Sequence, residues 1–177
     1  NFSLSETLIC VGDEITFDII DSTDVFAYQW DFGNGAGTDT ILTNSIVSSE
    51  VSNQYFEVPL GGSTVATLII WSKDFVCDYP VKNNISVHNV EANFDFEDST
   101  VCINDEVIFN DSSLTTGTTN YFWDIGDGNT STSTEPLSQS YENSGTGRYS
   151  VVLTLNDPVT GCKDTMIKTL EILPRPV

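Results

Sequence analysis

Two short stretches carry the side chains best suited to do chemistry. "YQWDFGNGAGT" runs from Tyr28 to Thr38 and "YFWDIGDGNTS" from Tyr121 to Ser131, and each sets a Trp and an Asp at the end of an apolar run before breaking into a glycine-rich acidic loop. Such a loop is a metal cradle, a phosphate loop or a plain turn. An EF-hand calcium loop needs oxygen ligands at positions one, three and five, but counting from Asp124 these are Asp124, Gly126 and Gly128, with Asp127 out of phase. A phosphate loop needs a strand-to-helix junction and usually a Lys, and neither is present. A turn remains: glycine supplies positive φ, and short Asp and Asn side chains hydrogen-bond nearby amides. Trp30, Asp31, Gly33 and Gly35 in the first stretch, and Trp123, Asp124, Gly126, Asp127 and Gly128 in the second, are thus read as structural. The tryptophans would plug a core between sheets.

Other chemistry is sparsely provided. His88 is the single histidine, so neither a Ser-His-Asp triad nor a multi-histidine metal centre can be assembled within the chain. A glycosidase needs only two carboxylates, but the 26 acidic residues read more simply as a solvated face. We therefore expect no enzyme and no catalytic residues. With 6 basic residues against those acids, the formal charge of −20 repels nucleic-acid phosphates and anionic headgroups. No window approaches the roughly 18 to 20 apolar residues of a membrane span, so no direct membrane insertion is expected. Cys10, Cys77, Cys102 and Cys162 lack zinc-ligand spacing, which favours disulfides and an extracellular setting. No signal peptide precedes Asn1, so a mature product or a piece of a longer protein is expected.

The elements that position these loops come in two copies. Laying "TLICVGDEITFDII" over "STVCINDEVIFNDS" aligns Cys10 with Cys102, Ile15 with Val107 and Phe17 with Phe109. Trp30 and Asp31 then fall on Trp123 and Asp124 after a one-residue shift, and the second cysteines bring Leu68 onto Leu153, Val81 onto Met166 and Ile85 onto Leu170. Period-two alternation dominates: Tyr149, Val151, Leu153 and Leu155 share one face, as do Met166, Lys168, Leu170 and Ile172, and also Ile15, Phe17 and Ile19. The expected fold is all-β, two tandem Ig-like antiparallel β-sandwiches spanning 1–89 and 90–177. The seam near "SVHNVEANFDF" has no Gly or Pro, which predicts a stiff connection, and "EILPRPV" has the look of a linker leading to further repeats.

The second copy resembles the PKD (polycystic kidney disease-type) domain. The family pattern appears as Trp123, Asp124, Ile125, Gly126, Asp127, Gly128, Pro136, Tyr141, Gly147, Tyr149 and Val151. The first copy keeps Trp30, Asp31, Phe32, Gly33 and Gly35, has Asn34 for the second Asp, and reads as a diverged member. The paired cysteines resemble PKD-like repeats of large Bacteroidota surface proteins, including gliding-motility adhesins. The resemblance implies no obligatory cofactor but leaves room for calcium, with Asp13, Glu14, Asp105 and Glu106 as a supply of loop carboxylates. Each cysteine pair brackets one repeat, so bonds Cys10–Cys77 and Cys102–Cys162 are expected. The implied function is a repeat segment of a cell-surface adhesin or stalk, whose partners are neighbouring repeats and surface polysaccharide or protein ligands. An accessory module of a secreted hydrolase, or a carbohydrate-binding module, is the alternative.

Overall fold

A computed structural model describes residues 2–20, 26–34, 38–42, 50–71, 78–134, 138–142 and 144–176. Every regular element among them is a β-strand. The chain divides into two compact units, Asn1–His88 and Asn89–Val177. Asn89 goes with the second unit because its amide donates to Thr116 Oγ1 (2.9 Å) and its carbonyl accepts from Thr116 N (3.0 Å).

The first unit contains β1 (Phe2–Leu4), β2 (Leu8–Cys10), β3 (Glu14–Ile19), β4 (Ala27–Asp31), β5 (Thr38–Leu42), β6 (Glu50–Gln54), β7 (Ser63–Trp71) and β8 (Asp78–His88). They form a three-stranded sheet, β1-β3-β6, and a five-stranded sheet, β2-β8-β7-β4-β5. The second unit contains β9 (Val90–Glu91), β10 (Phe94–Phe96), β11 (Thr100–Cys102), β12 (Glu106–Asp111), β13 (Leu114–Thr115), β14 (Asn120–Asp124), β15 (Thr130–Ser131), β16 (Ser138–Ser140), β17 (Gly147–Asn156) and β18 (Lys163–Leu173). Its sheets β10-β12-β16 and β11-β18-β17-β14-β15 repeat the first plan, and β9 and β13 add a two-stranded ribbon.

Alternation decides which faces meet. Ile15, Phe17 and Ile19 of β3 are buried, as are Val151, Leu153 and Leu155 of β17. Apolar burial at roughly 25 cal/mol per Å² makes these inward rows the main stabilising term. The tryptophans sit where the two layers meet. Trp30, on the five-stranded sheet, packs edge-on against Phe2 of the other sheet at 4.9 Å between centroids, and against Phe17 at 5.3 Å. Trp123 meets Phe94 at 5.1 Å and Phe109 at 6.0 Å in the corresponding places. Edge-to-face packing of this kind adds about 0.5–1.5 kcal/mol beyond area.

Two features depart from simple expectation. The sandwiches are not wholly antiparallel: β2 pairs with β8, and β11 with β18, in parallel. In each unit one early strand, β1 or β10, belongs to the three-stranded sheet, and after a short break the chain crosses to the edge of the five-stranded one as β2 or β11. Lys168 also sits in an otherwise apolar row. Its ammonium Nζ lies over the Phe94 ring at 5.6 Å from the centroid and pairs with Asp95.

Candidate functional site

The acidic glycine loops are built as turns. In the second unit, Asp124 at the end of β14 accepts Gly126 N on Oδ1 (2.9 Å), and Asp127 accepts Asn129 N on Oδ1 (2.9 Å). The second oxygen of Asp127 takes Asn129 Nδ2 at 2.9 Å and Gln139 Nε2 at 3.3 Å. Ile125 N closes the loop on Asn129 O at 3.0 Å. These are the local side-chain-to-backbone bonds by which Asp and Asn stabilise turns. Gly126, at φ 83°, lies against the neighbouring strand: a Cβ there would stand 2.5 Å from Ser150 O. In the first unit Asp31 Oδ1 accepts Gly33 N (2.9 Å), and a Cβ on Gly33 would meet Val65 O at 2.6 Å. Gly35 lies outside the described residues.

A tyrosine clamps each loop from below. Tyr141 is buried, and its hydroxyl donates to Ile125 O at 3.0 Å, the carbonyl between Asp124 and the glycines. Tyr55 does the same for Phe32 O at 2.7 Å. Burial pushes the Tyr55 phenol up to about 12 from an ordinary value of 10.0, with the Asp31 carboxylate adding in the same direction and a side-chain hydrogen bond from Asn53 opposing. Tyr141 is shifted upward as well, chiefly by burial and then by Asp127. Sequence reading singled out Tyr141 but missed Tyr55. The signal was present: each follows directly on a strand of the three-stranded sheet, β6 or β16.

Three of the four carboxylates considered for calcium have partners within the protein. Asp13 Oδ2 accepts Cys10 N at 3.0 Å, Glu14 Oε1 accepts the Ser52 hydroxyl at 2.6 Å, and Asp105 is ion-paired with Arg175. Among the described residues, no three or more His, Cys, Asp and Glu side chains are grouped to hold a metal ion.

The cysteines correct the sequence reading. Cys10 and Cys162 are both disulfide-bonded, whereas Cys102 is a free, half-buried thiol, so the expected Cys102–Cys162 bond does not form. The reason is strand geometry. Cys102 is in register with Leu173 at one end of β18, while Cys162 directly precedes Lys163 at the other end. At about 3.3 Å per residue those ends are roughly 33 Å apart, far beyond the roughly 4.4–6.8 Å between Cα atoms that a disulfide tolerates. Of the expected Cys10–Cys77 pair, Cys10 is disulfide-bonded and in register with His88 on β8. Cys77 itself lies outside the described residues.

One open groove, about 570 Å³, borders the first loop between Asn34, Gln54 and Leu60. Its wall carries Phe56, 72% exposed.

Comparison with known proteins adds the following. The PKD domain family model matches residues 89–172. No curated protein matches the chain. Among solved structures, the D00-D0 domain of intimin is 9% identical with a TM-score of 0.50, covering 98% of this chain and 100% of that one. A structure of carbohydrate-binding modules from the beta-sandwich super family is 30% identical with a TM-score of 0.44, covering 48% of this chain. The match spans 34% of that structure's chain. The titin I-band fragment I67-I69 is 11% identical with a TM-score of 0.47, covering 98% of this chain and 66% of that one.

Proposed function

With residues 89–172 a PKD domain, we propose that this chain is a non-catalytic repeat segment of an extracellular adhesin or stalk, in which the first unit is a diverged copy of the second. The observation that carries this reading is the duplication itself. Two sandwiches share strand order, tryptophan plug and tyrosine-clamped acidic turn, and in each the loop carboxylates are spent on holding the backbone. Repetition of a stiff module lengthens a molecule, and disulfide-bonded cysteines suit an oxidising compartment outside the cytosol. The charge of −20 keeps such a surface hydrated and resists self-association. The partners are then neighbouring repeats of the same kind and surface polysaccharides or proteins, and gliding motility in a bacterium of the Bacteroidota type is one process such a stalk would serve. Antibodies raised against the chain should decorate intact, unpermeabilised cells of the source organism, and deleting the segment from its parent gene should weaken adhesion or gliding. Labelling only after permeabilisation would overturn the proposal.

A carbohydrate-binding role is the second reading, favoured by Phe56. Its exposed ring lies beside the amides of Gln54 and Asn34, the combination of stacking face and polar groups that holds a sugar. Retention on insoluble polysaccharides that is lost in Phe56→Ala would support it. Unchanged retention would exclude this groove.

A further inference from the structure

The two units diverge beside the tyrosine clamp. In the second, the Tyr149 ring packs on Tyr141 at 4.8 Å between centroids and its hydroxyl donates to Gly145 O at 2.9 Å, which ties the clamp to the loop that follows it. Strand register makes Thr64 the counterpart of Tyr149. Trp30 faces Leu68 as Trp123 faces Leu153, and Thr64 and Tyr149 each precede that leucine by four residues. Thr64 has no ring to lay on Tyr55, and its hydroxyl turns to Gly33 O at 2.8 Å. A groove of about 570 Å³ opens beside Tyr55, with Gly33, Asn34 and Phe56 in its wall. The residue after the clamp differs as well: Phe56, 72% exposed, stands where the second unit has Glu142.

The groove continues along β6. A second hollow of about 410 Å³ shares Asn34, Gln54 and Phe56 with the first, and a third of about 320 Å³ shares Glu14 and Ser52 with the second. Glu50, Ser52 and Gln54 are the exposed residues of β6, and at about 3.3 Å per residue they span ~13 Å, with Phe56 two positions further on. That length suits a linear chain rather than a single sugar. The loop beyond Phe56 is set in place: Gly62 N donates to Pro59 O at 2.8 Å, and Gly62 O accepts Val87 N from β8 at 3.0 Å. A wall fixed before a ligand arrives saves the ordering cost of binding. The three hollows offer one exposed aromatic ring, the side-chain amides of Asn34 and Gln54, and the carboxylates of Glu57, Glu14 and Glu50. No Lys, Arg or His is among the described residues that line them.

We propose that this continuous groove of the first unit holds a linear glycan bearing free amino groups, with a sugar face on Phe56 and its ammonium groups toward Glu57, Glu14 and Glu50. The proposal rests on the carbohydrate reading of the Phe56 groove and names the class of sugar. Charge complementarity decides the class. A lining that carries carboxylates and no cation repels uronic-acid or sulfated chains and attracts protonated amines. The ring supplies the stacking face, and the amides supply both donors and acceptors for hydroxyl groups. The second unit, with Glu142 in place of Phe56 and Tyr149 packed on its clamp, has no such groove among the described residues.

Titration calorimetry of the whole chain with three hexasaccharides tests this, at roughly pH 5.5 so that Asp and Glu, with ordinary values near 4, are ionised. The glucosamine hexamer should bind about 3- to 10-fold more tightly than the N-acetylglucosamine hexamer, as two or three exposed ion pairs allow, and the galacturonic acid hexamer should not bind. Phe56→Ala should abolish binding of both amino-sugar and N-acetylated chains. Glu57→Gln should narrow the difference between them, as should raising salt, which shortens the Debye length from about 10 Å at 0.1 M to about 3 Å at 1 M. Glu142→Gln, which removes an exposed carboxylate of the second unit, separates the groove from diffuse attraction to a chain of charge −20 and should change nothing. Equal binding of the two hexamers, lost in Phe56→Ala, would overturn the amino-sugar proposal and leave the carbohydrate reading standing. An equal loss in Glu142→Gln and Glu57→Gln would overturn it too, as would hexalysine binding more tightly than the glucosamine hexamer in a Phe56-dependent way. If no sugar bound in a Phe56-dependent way, the carbohydrate reading itself would fall.

Discussion

A methyl group is the smallest probe of the acidic turn, and its two glycines should answer differently. At Gly126 a Cβ would stand 2.5 Å from Ser150 O and 3.1 Å from its carbon, whereas at Gly128 it would meet nothing within 4 Å, although both have positive φ. Gly128→Ala should therefore cost only the left-handed backbone penalty, about 1–2 kcal/mol, while Gly126→Ala adds a backbone clash worth a further ~1–3 kcal/mol. Urea unfolding midpoints of the two variants check the order; equal losses would mean that the close strand contact is not limiting. The tyrosine clamps give a second residue-scale test. Tyr141→Phe leaves Ile125 O without its buried donor and should destabilise by about 1–3 kcal/mol. Because burial raises the folded-state pKa of Tyr55 from 10.0 to about 12, the unfolded chain ionises first as pH rises. The stabilisation is complete below about pH 10 and is lost as pH climbs through about 12. Tyr55→Phe should flatten the fall in melting temperature across that window, and an unchanged alkaline slope would refute the assignment.

At the scale of elements, protection should follow the sheet order. β17 is paired on both sides, with β14 over five residues and with β18 over ten, whereas β15 is a two-residue edge strand paired only with β14. Strands central to a sheet open near the global unfolding free energy and edges open locally. Hydrogen exchange should accordingly be slowest at Val151, Leu153 and Leu155 and fastest at Thr130 and Ser131. Comparable rates would show that the second unit opens as a whole. The strand-crossing of β10 and β11 also belongs to this scale. Nothing local in the sequence says that these two consecutive short runs will join different sheets, or that the second will pair in parallel with the last strand.

For the whole molecule, the bonds at Cys10 and Cys162 should matter and the thiol at Cys102 should not. Reduction or Cys162→Ser should lower the melting temperature by several degrees, since a cross-link restricts the unfolded chain by about 2–4 kcal/mol. Cys102→Ser should leave it within about a degree, being a near-isosteric change at a half-buried, unbonded site. Calorimetry under oxidising and reducing conditions distinguishes these outcomes. The sequence by itself determined what depends on neighbours along the chain: strand faces from alternation, the turn chemistry of Asp124, Gly126 and Asp127 from residue type, and the duplication from spacing. It also marked Trp30 and Trp123 for the core, because a large apolar ring on a half-buried strand has nowhere else to go. Only the tertiary structure decided which cysteines can meet. Cys102 and Cys162 bracket one repeat in sequence, but a parallel strand pair carries the first to the far end of β18 from the second, and a bond of fixed short reach follows distance in space rather than order in the chain.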